Sequence, residues 1–134
     1  STKVDVQIGS MKSIYPQFQV IKKKSTEVEF VGILQPKPEY RKFKISVKYR
    51  GNLKPQVKVI EPKLVDNPPH YYKGSETLCL YHPRDFKWTK DKLIAKYILP
   101  ITSAWLYFYE VWLETAIWYG PEASHDNDKN PKDD

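Results

Sequence analysis

Between residues 18 and 62 the chain alternates apolar and polar side chains with a period of two, and this feature restricts the possible folds most. Four runs follow one another: FQVIKKK, EVEFVGILQP, YRKFKISVKYRG and KPQVKVIEP. In the third run, Phe43, Ile45 and Val47 alternate with lysines and a serine. Such alternation is typical of strands with one covered face, and the breaks KKST, PKPE and RGNLKP suit hairpins. The pattern predicts a four-stranded antiparallel meander.

Helical spacing precedes the strand region. Val4, Ile8 and Met11 recur at intervals of four and three, as one face of a helix would, although Gly9 weakens the pattern. Pro16 ends it. The sequence therefore favours a short helix before the meander, without excluding an irregular segment there.

Two further helices are predicted in the last third of the chain. Thr89 is a suitable N-cap for the first, and Pro100 is expected to break it. The second is predicted to begin at Thr102 or Ser103 and to end at Gly120.

The second of these helices has a broad apolar face for the sheet. Glu110 and Glu114 are expected on its opposite side. With the meander, this predicts an α+β fold in which a four-stranded sheet is packed by helices. The apolar positions recur at helical spacing and are Trp105, Phe108, Tyr109, Trp112, Leu113 and Ala116.

Residues 63–88, between the meander and the helices, have no sustained period and contain three prolines. An irregular stretch this long inside a compact domain is usually functional or disordered. This one carries too many apolar side chains for disorder. We therefore expect an ordered loop that is anchored to the core by Leu64, Tyr71, Tyr72, Leu78, Leu80, Phe86 and Trp88.

The chain of 134 residues, with a net charge of +6, is long enough for one domain. Residues 121–134 hold five carboxylates and two lysines, so about +9 remains on the rest. We predict a single domain over residues 1–120 and an acidic, disordered tail over 121–134. The most apolar window contains Pro100 and two glutamates, which argues against a membrane span.

Cys79 is the only cysteine, so the chain cannot form an internal disulfide, which fits a reducing compartment. No secretory signal pattern opens the sequence, and a cytoplasmic protein is predicted. Phosphate loops, zinc-ligand spacings and dinucleotide fingerprints are absent, so we expect no cofactor and no metal. A lone cysteine between two leucines is more often a core residue. Nearby polar residues, with Arg84 to favour a thiolate, make a nucleophile equally plausible.

The order of these elements resembles the ubiquitin-conjugating enzymes over roughly residues 10–120. FVGILQP (30–36) and YRKFKISVKY (40–49) are similar to the second and third strands of that family. PHYYKGSETLCLYHP (69–83) resembles the proline-rich approach to the active-site cysteine, and Trp88 falls where the family has a tryptophan. The resemblance implies a ubiquitin-conjugating-enzyme-like fold.

A bacterial branch of that family resembles the chain more closely. This branch occurs in antiphage operons with a cyclic-oligonucleotide synthase, the CBASS systems. PHYY (69–72), LCLYHP (78–83) and AWLYFYEVWLETAIWYGPEASH (104–125) are similar to its motifs, in the same order. The last motif departs at Ala116–Ile117, where the pattern has a glycine before the tryptophan.

The resemblance implies a mechanism in which Cys79 accepts an acyl group from a protein C-terminus as a thioester and passes it to a lysine amine. The family's oxyanion-stabilising asparagine lies about eight residues before the cysteine, where this chain has Tyr71. His70, a tyrosine hydroxyl and a backbone N–H are the alternatives. His82 and Asp85 are candidates to receive the amine proton.

The resemblance also implies partners. The acyl donor would be the C-terminus of a cGAS-like nucleotidyltransferase, and the acceptors would be lysines of target proteins. It leaves open whether a separate activating enzyme supplies the acyl group. A homodimer is compatible with the aromatic content.

Two other functions stay open. One is a docking module of the same fold that performs no catalysis. The other, a basic nucleic-acid-binding domain, is suggested by the positive charge. It is disfavoured because the chain lacks the basic-aromatic motifs of known RNA-binding modules.

Overall fold

A computed structural model describes residues 2–122 of the chain. The expected acidic tail lies outside the described residues except for its first two positions. A helix begins the chain, a four-stranded sheet follows, and a two-stranded hairpin separates that sheet from the last helical segment. The elements are α1 (Lys3–Ile14), β1 (Gln19–Lys23), β2 (Val28–Leu34), β3 (Phe43–Arg50), β4 (Leu53–Glu61), β5 (Tyr71–Tyr72), β6 (Thr77–Leu78), a π-helical segment (Ile94–Ile98) and α2 (Leu99–Thr115).

The large sheet is the predicted meander. Its strands lie in the order β1-β2-β3-β4, and each neighbouring pair is antiparallel. Phe30 pairs with Val47, and Val47 pairs with Val57, so one face of the sheet is a continuous apolar layer. The α+β class and the four-stranded meander are confirmed.

Gly32 lies on this apolar face, directly under the ring of Phe18. A β-carbon added at Gly32 would lie 2.5 Å from Cγ of Phe18. Phe18 is itself only 5% exposed. The absence of a side chain at Gly32 therefore lets the segment before β1 close over the sheet.

Helix α1 begins with a capping box between Thr2 and Asp5, in which each side chain accepts from the other residue's backbone N–H. Val4 and Met11 are buried on its inner face, as the spacing predicts. Gln7 is buried beside them. Its amide donates to the Lys92 carbonyl (2.8 Å) and accepts from the Ile94 N–H (3.0 Å). Gln7 thus joins α1 to the start of the last helical segment.

The prediction of two C-terminal helices separated by Pro100 is wrong. The π-helical segment runs directly into α2, and Pro100 lies in the first turn of α2. A proline is tolerated there because the first backbone N–H groups of a helix have no partner in the helix. Thr89 caps nothing in this arrangement, since the helical segment begins after Leu93.

The prediction that Glu110 lies on the outer side of α2 is also wrong. Glu110 is only 8% exposed. Its carboxylate accepts from Nε of Arg41 at 3.2 Å, and this contact raises the pKa of the Arg41 guanidinium. A guanidinium that pairs with a buried carboxylate offsets part of the free-energy cost of removing that carboxylate from water. Leu113 is conversely 42% exposed, so the buried face is rotated from the predicted one.

Helix α2 ends at Thr115 rather than at Gly120. Ala116 follows it in the left-handed conformation, with φ 63°, and its N–H donates to the Trp112 carbonyl. This geometry is the common helix ending that glycine favours.

Ala116→Gly is expected to raise the free energy of unfolding by about 1 kcal/mol. A left-handed backbone costs an L-residue about 1–2 kcal/mol, and the greater freedom of glycine in the unfolded chain offsets only part of that gain. Thermal unfolding followed by circular dichroism measures the change. Ala104→Gly is the matched control, because the same substitution inside α2 is expected to cost about 1 kcal/mol. A destabilised Ala116→Gly protein would contradict the prediction.

Residues 63–88 form an ordered loop whose apolar side chains pack on the core, as predicted. Trp88 is 7% exposed, meets the Tyr49 ring edge-on and donates from Nε1 to the Gly51 carbonyl at 2.9 Å. Within the described part of the chain, no helix is long and apolar enough to span a membrane.

Candidate active site

The short β5–β6 hairpin holds His70 and Cys79 opposite each other at its open end. The Cys79 N–H donates to the His70 carbonyl at 2.9 Å. The indole Nε1 of Trp105 on α2 donates to the same oxygen at 3.0 Å. His70 adopts a left-handed conformation with φ 51°. The backbone on which Cys79 sits is therefore tied both to the loop and to α2.

A cavity of about 340 Å³ lies beside Cys79. Most of its wall is apolar and comes from α2 and the residues after it, while the polar groups come from the loop. Four of the five predicted site residues border it: Cys79, His70, His82 and Asp85.

The Cys79 side chain is 6% exposed. It lies between Leu78, which belongs to the core, and Leu80, which packs against the core. A buried position is usual for a structural cysteine, whereas a position on a cavity that also holds two histidines is usual for a nucleophile. Cys79 is buried and also borders the cavity. A reactant would therefore reach its sulfur through the cavity.

The side chain of His70 is held against the end of the described chain. It is 8% exposed, and its ring centroid lies 4.9 Å from that of Trp118. Its Nε2 lies 3.5 Å from a carboxylate oxygen of Glu122. The carbonyl of His70 therefore holds the backbone at Cys79, and its imidazole forms part of the cavity wall.

His82 and Asp85 lie in one turn that follows the cysteine. The Asp85 N–H donates to the His82 carbonyl at 2.9 Å, and the Arg84 N–H donates to Nδ1 of His82 at 3.0 Å. Because Nδ1 accepts this hydrogen bond, the proton of a neutral His82 imidazole is on Nε2. The turn thus presents an imidazole and a carboxylate at the same cavity as Cys79.

Tyr71 is the one predicted residue that does not border this cavity. Its side chain lines a second cavity of about 320 Å³, together with Lys58, Lys63 and Lys73. Burial, with a smaller contribution from Glu76, raises the pKa of the Tyr71 phenol. His70, which precedes β5 in a left-handed conformation, and Tyr71, the first residue of β5, therefore border different cavities.

Four aromatic residues at the cavity were not predicted as site residues: Tyr81, Trp105, Phe108 and Trp118. Tyr81 could have been predicted from the sequence, because a residue two positions after Cys79 in an extended chain lies on the same side as the cysteine. Trp105 was assigned only to the apolar face of a helix. Trp118 lies after the end of α2. It was not predicted as a site residue because the helix was expected to continue to Gly120 and to include it.

Within residues 2–122, no group of three or more histidine, cysteine or acidic side chains could hold a metal ion. A family model described as "Type II CBASS E2 protein" matches residues 7–126 of the sequence. The chain belongs to the type II CBASS E2 family. A search of curated proteins gave no match.

Membership of the type II CBASS E2 family confirms the resemblance seen in the sequence. The observed meander with its two helices is the ubiquitin-conjugating-enzyme-like fold expected for an E2 protein. The family name places the chain in CBASS antiphage defence. Ala116, where the sequence departs from the resemblance to the CBASS branch, occupies a left-handed position, which glycine adopts most readily.

Proposed function

We propose that this type II CBASS E2 protein is a transferase that carries an acyl group as a thioester on Cys79. The observation that carries the proposal is the position of Cys79 on a cavity that also receives His70, His82 and Asp85. A thiol nucleophile with imidazole and carboxylate groups beside it is a set that nucleophilic acyl transfer can use. Family membership adds support.

The proposed reaction has two transfers. The sulfur of Cys79 first attacks the carbonyl carbon of an activated C-terminus, a C–S bond forms, and the activating group leaves. The nitrogen of a lysine amine then attacks the thioester carbon, the C–S bond breaks, and the thiolate returns. A free carboxylate is a poor acyl donor, so the C-terminus arrives as a thioester or as a mixed anhydride with phosphate.

Asp85 is proposed to receive the proton that the attacking amine loses, and His82, whose Nδ1 already accepts from the Arg84 N–H, is proposed to orient the amine from the same turn. They lie in a single turn at the cavity, within reach of an amine that approaches Cys79 from solvent. His70 is proposed to keep the sulfur in position, because its carbonyl accepts from the Cys79 N–H. The proposal gives no role to Tyr71, which lines the other cavity.

The proposed acyl donor is the C-terminus of a cGAS-like nucleotidyltransferase, and the acceptors are lysines of target proteins. The support is the resemblance to the CBASS branch and the family match. An E2 protein that links such a C-terminus to other proteins would act in defence by modifying the enzyme that makes the signal.

Intact mass spectrometry of the chain co-expressed with the nucleotidyltransferase of its operon tests the proposal. We expect an added mass equal to the nucleotidyltransferase less one water, and its complete removal by a thiol reductant. A nucleotidyltransferase that lacks its last residues is the matched control and should give no adduct. If the adduct persists after reduction, the thioester is excluded.

A docking module without catalysis is the second candidate, and the 6% exposure of Cys79 favours it. Supplying the acyl group in activated form separates the two functions. A stable complex with the nucleotidyltransferase, together with a chain that takes up no acyl group from a peptide thioester, would support docking, whereas a thiol-labile adduct would contradict it.

A further inference from the structure

The hydroxyl of Tyr81 is buried and has no hydrogen-bond partner among the described residues. Leaving a buried hydroxyl unpaired costs about 1–3 kcal/mol, and most buried polar groups in proteins are paired. An unpaired buried hydroxyl in a cavity beside a nucleophile indicates a group that forms its hydrogen bond only in the reacting complex.

Tyr81 borders the same cavity as Cys79 and lies two residues after it. Its ring meets the edge of Phe86, with ring centroids 4.9 Å apart. Nζ of Lys54 lies 5.8 Å from the Tyr81 ring centroid, on a side chain that also donates to the hydroxyl of Tyr72. The phenol is therefore held in one orientation by its neighbours, which is the requirement for a preorganised donor.

The pKa of the Tyr81 phenol is strongly raised. Burial is the larger cause, and the negative charge of Cys79 is the smaller one. Tyr81 consequently keeps its proton at neutral pH. A phenol in that state is a hydrogen-bond donor rather than a base.

We propose that the Tyr81 hydroxyl donates a hydrogen bond to the oxyanion formed during acyl transfer at Cys79. The inference rests on the proposed function. When the lysine nitrogen attacks the thioester carbon, the carbonyl π electrons move onto oxygen. Tyr81 stabilises that charge without giving up its proton, and collapse of the intermediate restores the carbonyl and expels the sulfur. Tyr81 would thus supply the donor that the missing asparagine supplies elsewhere in the family.

The other side-chain donors near Cys79 suit this role less well. Nε1 of Trp105 already donates to the His70 carbonyl at 3.0 Å. Nε1 of Trp118 also has no partner among residues 2–122, but Trp118 follows the end of α2, whereas Tyr81 lies two residues after Cys79 in the same segment. Catalytic hydrogen bonds often form only in the reacting complex, so an unpaired Tyr81 hydroxyl in the unacylated protein is what this role predicts.

Tyr81→Phe tests the inference, because it removes the hydroxyl and keeps the ring. The wild type and the variant are first loaded on Cys79 by exchange with a synthetic peptide thioester that ends in glycine. Free lysine is then added, and loss of the acyl group is followed by intact mass spectrometry. We expect discharge to be about 10²–10³-fold slower in the variant, the usual effect of removing one oxyanion donor. Its melting temperature should not fall, since the lost hydroxyl has no partner to leave unpaired.

Tyr97→Phe is the matched control. Tyr97 also packs against Phe86, with ring centroids 5.6 Å apart, but it does not border the Cys79 cavity. Its discharge rate should equal that of the wild type. Wild-type discharge in Tyr81→Phe, or equal slowing in both variants, would overturn the inference and leave the proposed function standing. A wild type that never takes up the acyl group would contradict both.

Discussion

Cys79→Ser is expected to replace the thiol-labile adduct with a stable one that survives reductant. A serine oxygen at this position forms an ester where the cysteine sulfur forms a thioester, and thiols cleave esters far more slowly. Because an alcohol is the weaker nucleophile, the ester should accumulate more slowly than the thioester. Intact mass spectrometry with and without reductant measures both the amount and the lability of each adduct.

Cys79→Ala is the matched control and should abolish conjugation, with a loss of at least about 10³-fold, as is usual when a nucleophile is removed. It should stay folded, because the side chain loses a single buried sulfur atom, at an expected cost of about 1 kcal/mol. Thermal unfolding checks this separately. Conjugation that persists in a folded Cys79→Ala protein would disprove the role of Cys79.

Gly32→Ala is expected to be the most destabilising single-methyl change in the sheet, at about 3 kcal/mol. The added β-carbon would lie 2.5 Å from Cγ of Phe18, and also within 3 Å of two other atoms of that ring. A ring that is 5% exposed cannot move aside without opening the core or tilting the segment before β1. Urea unfolding should show a lower midpoint with an unchanged m-value.

Gly9→Ala is the control for that change. It adds the same methyl group, but at a position in α1 with no atom within 4 Å. Alanine is the better helix former, so this variant should gain about 1 kcal/mol. Equal changes in the free energy of unfolding for Gly32→Ala and Gly9→Ala would show that the contact with Phe18 does not limit the size of the side chain at position 32.

The sheet could be predicted because its information is local. Alternation with a period of two is visible within each run, and every apolar residue of β3 is buried. The error at Pro100 was also local in origin. A proline that breaks a helix and a proline in the first turn of the next one look alike in sequence, and only the continuous backbone from Ile94 onward distinguishes them.

Glu110 and the cavity depend on contacts that sequence does not display. The partner of Glu110 is Arg41, 69 residues away, so its burial could not be deduced from α2 alone. The family motifs located Cys79, His70, His82 and Asp85, which the structure brings to one cavity. They did not locate Trp105, which reaches the site from α2 through a hydrogen bond to a backbone carbonyl.

The aromatic wall of the cavity gives the protein an optical signal of its own. Two of the four tryptophans, Trp105 and Trp118, border the cavity beside Cys79, and their rings lie 5.7 Å apart. Indole emission responds to the polarity of its surroundings, so an acyl group that enters the cavity should change the wavelength and intensity of the fluorescence. Trp88, which packs against Tyr49 and does not border the cavity, contributes a constant background. Loading and discharge can therefore be followed in real time on the unlabelled chain.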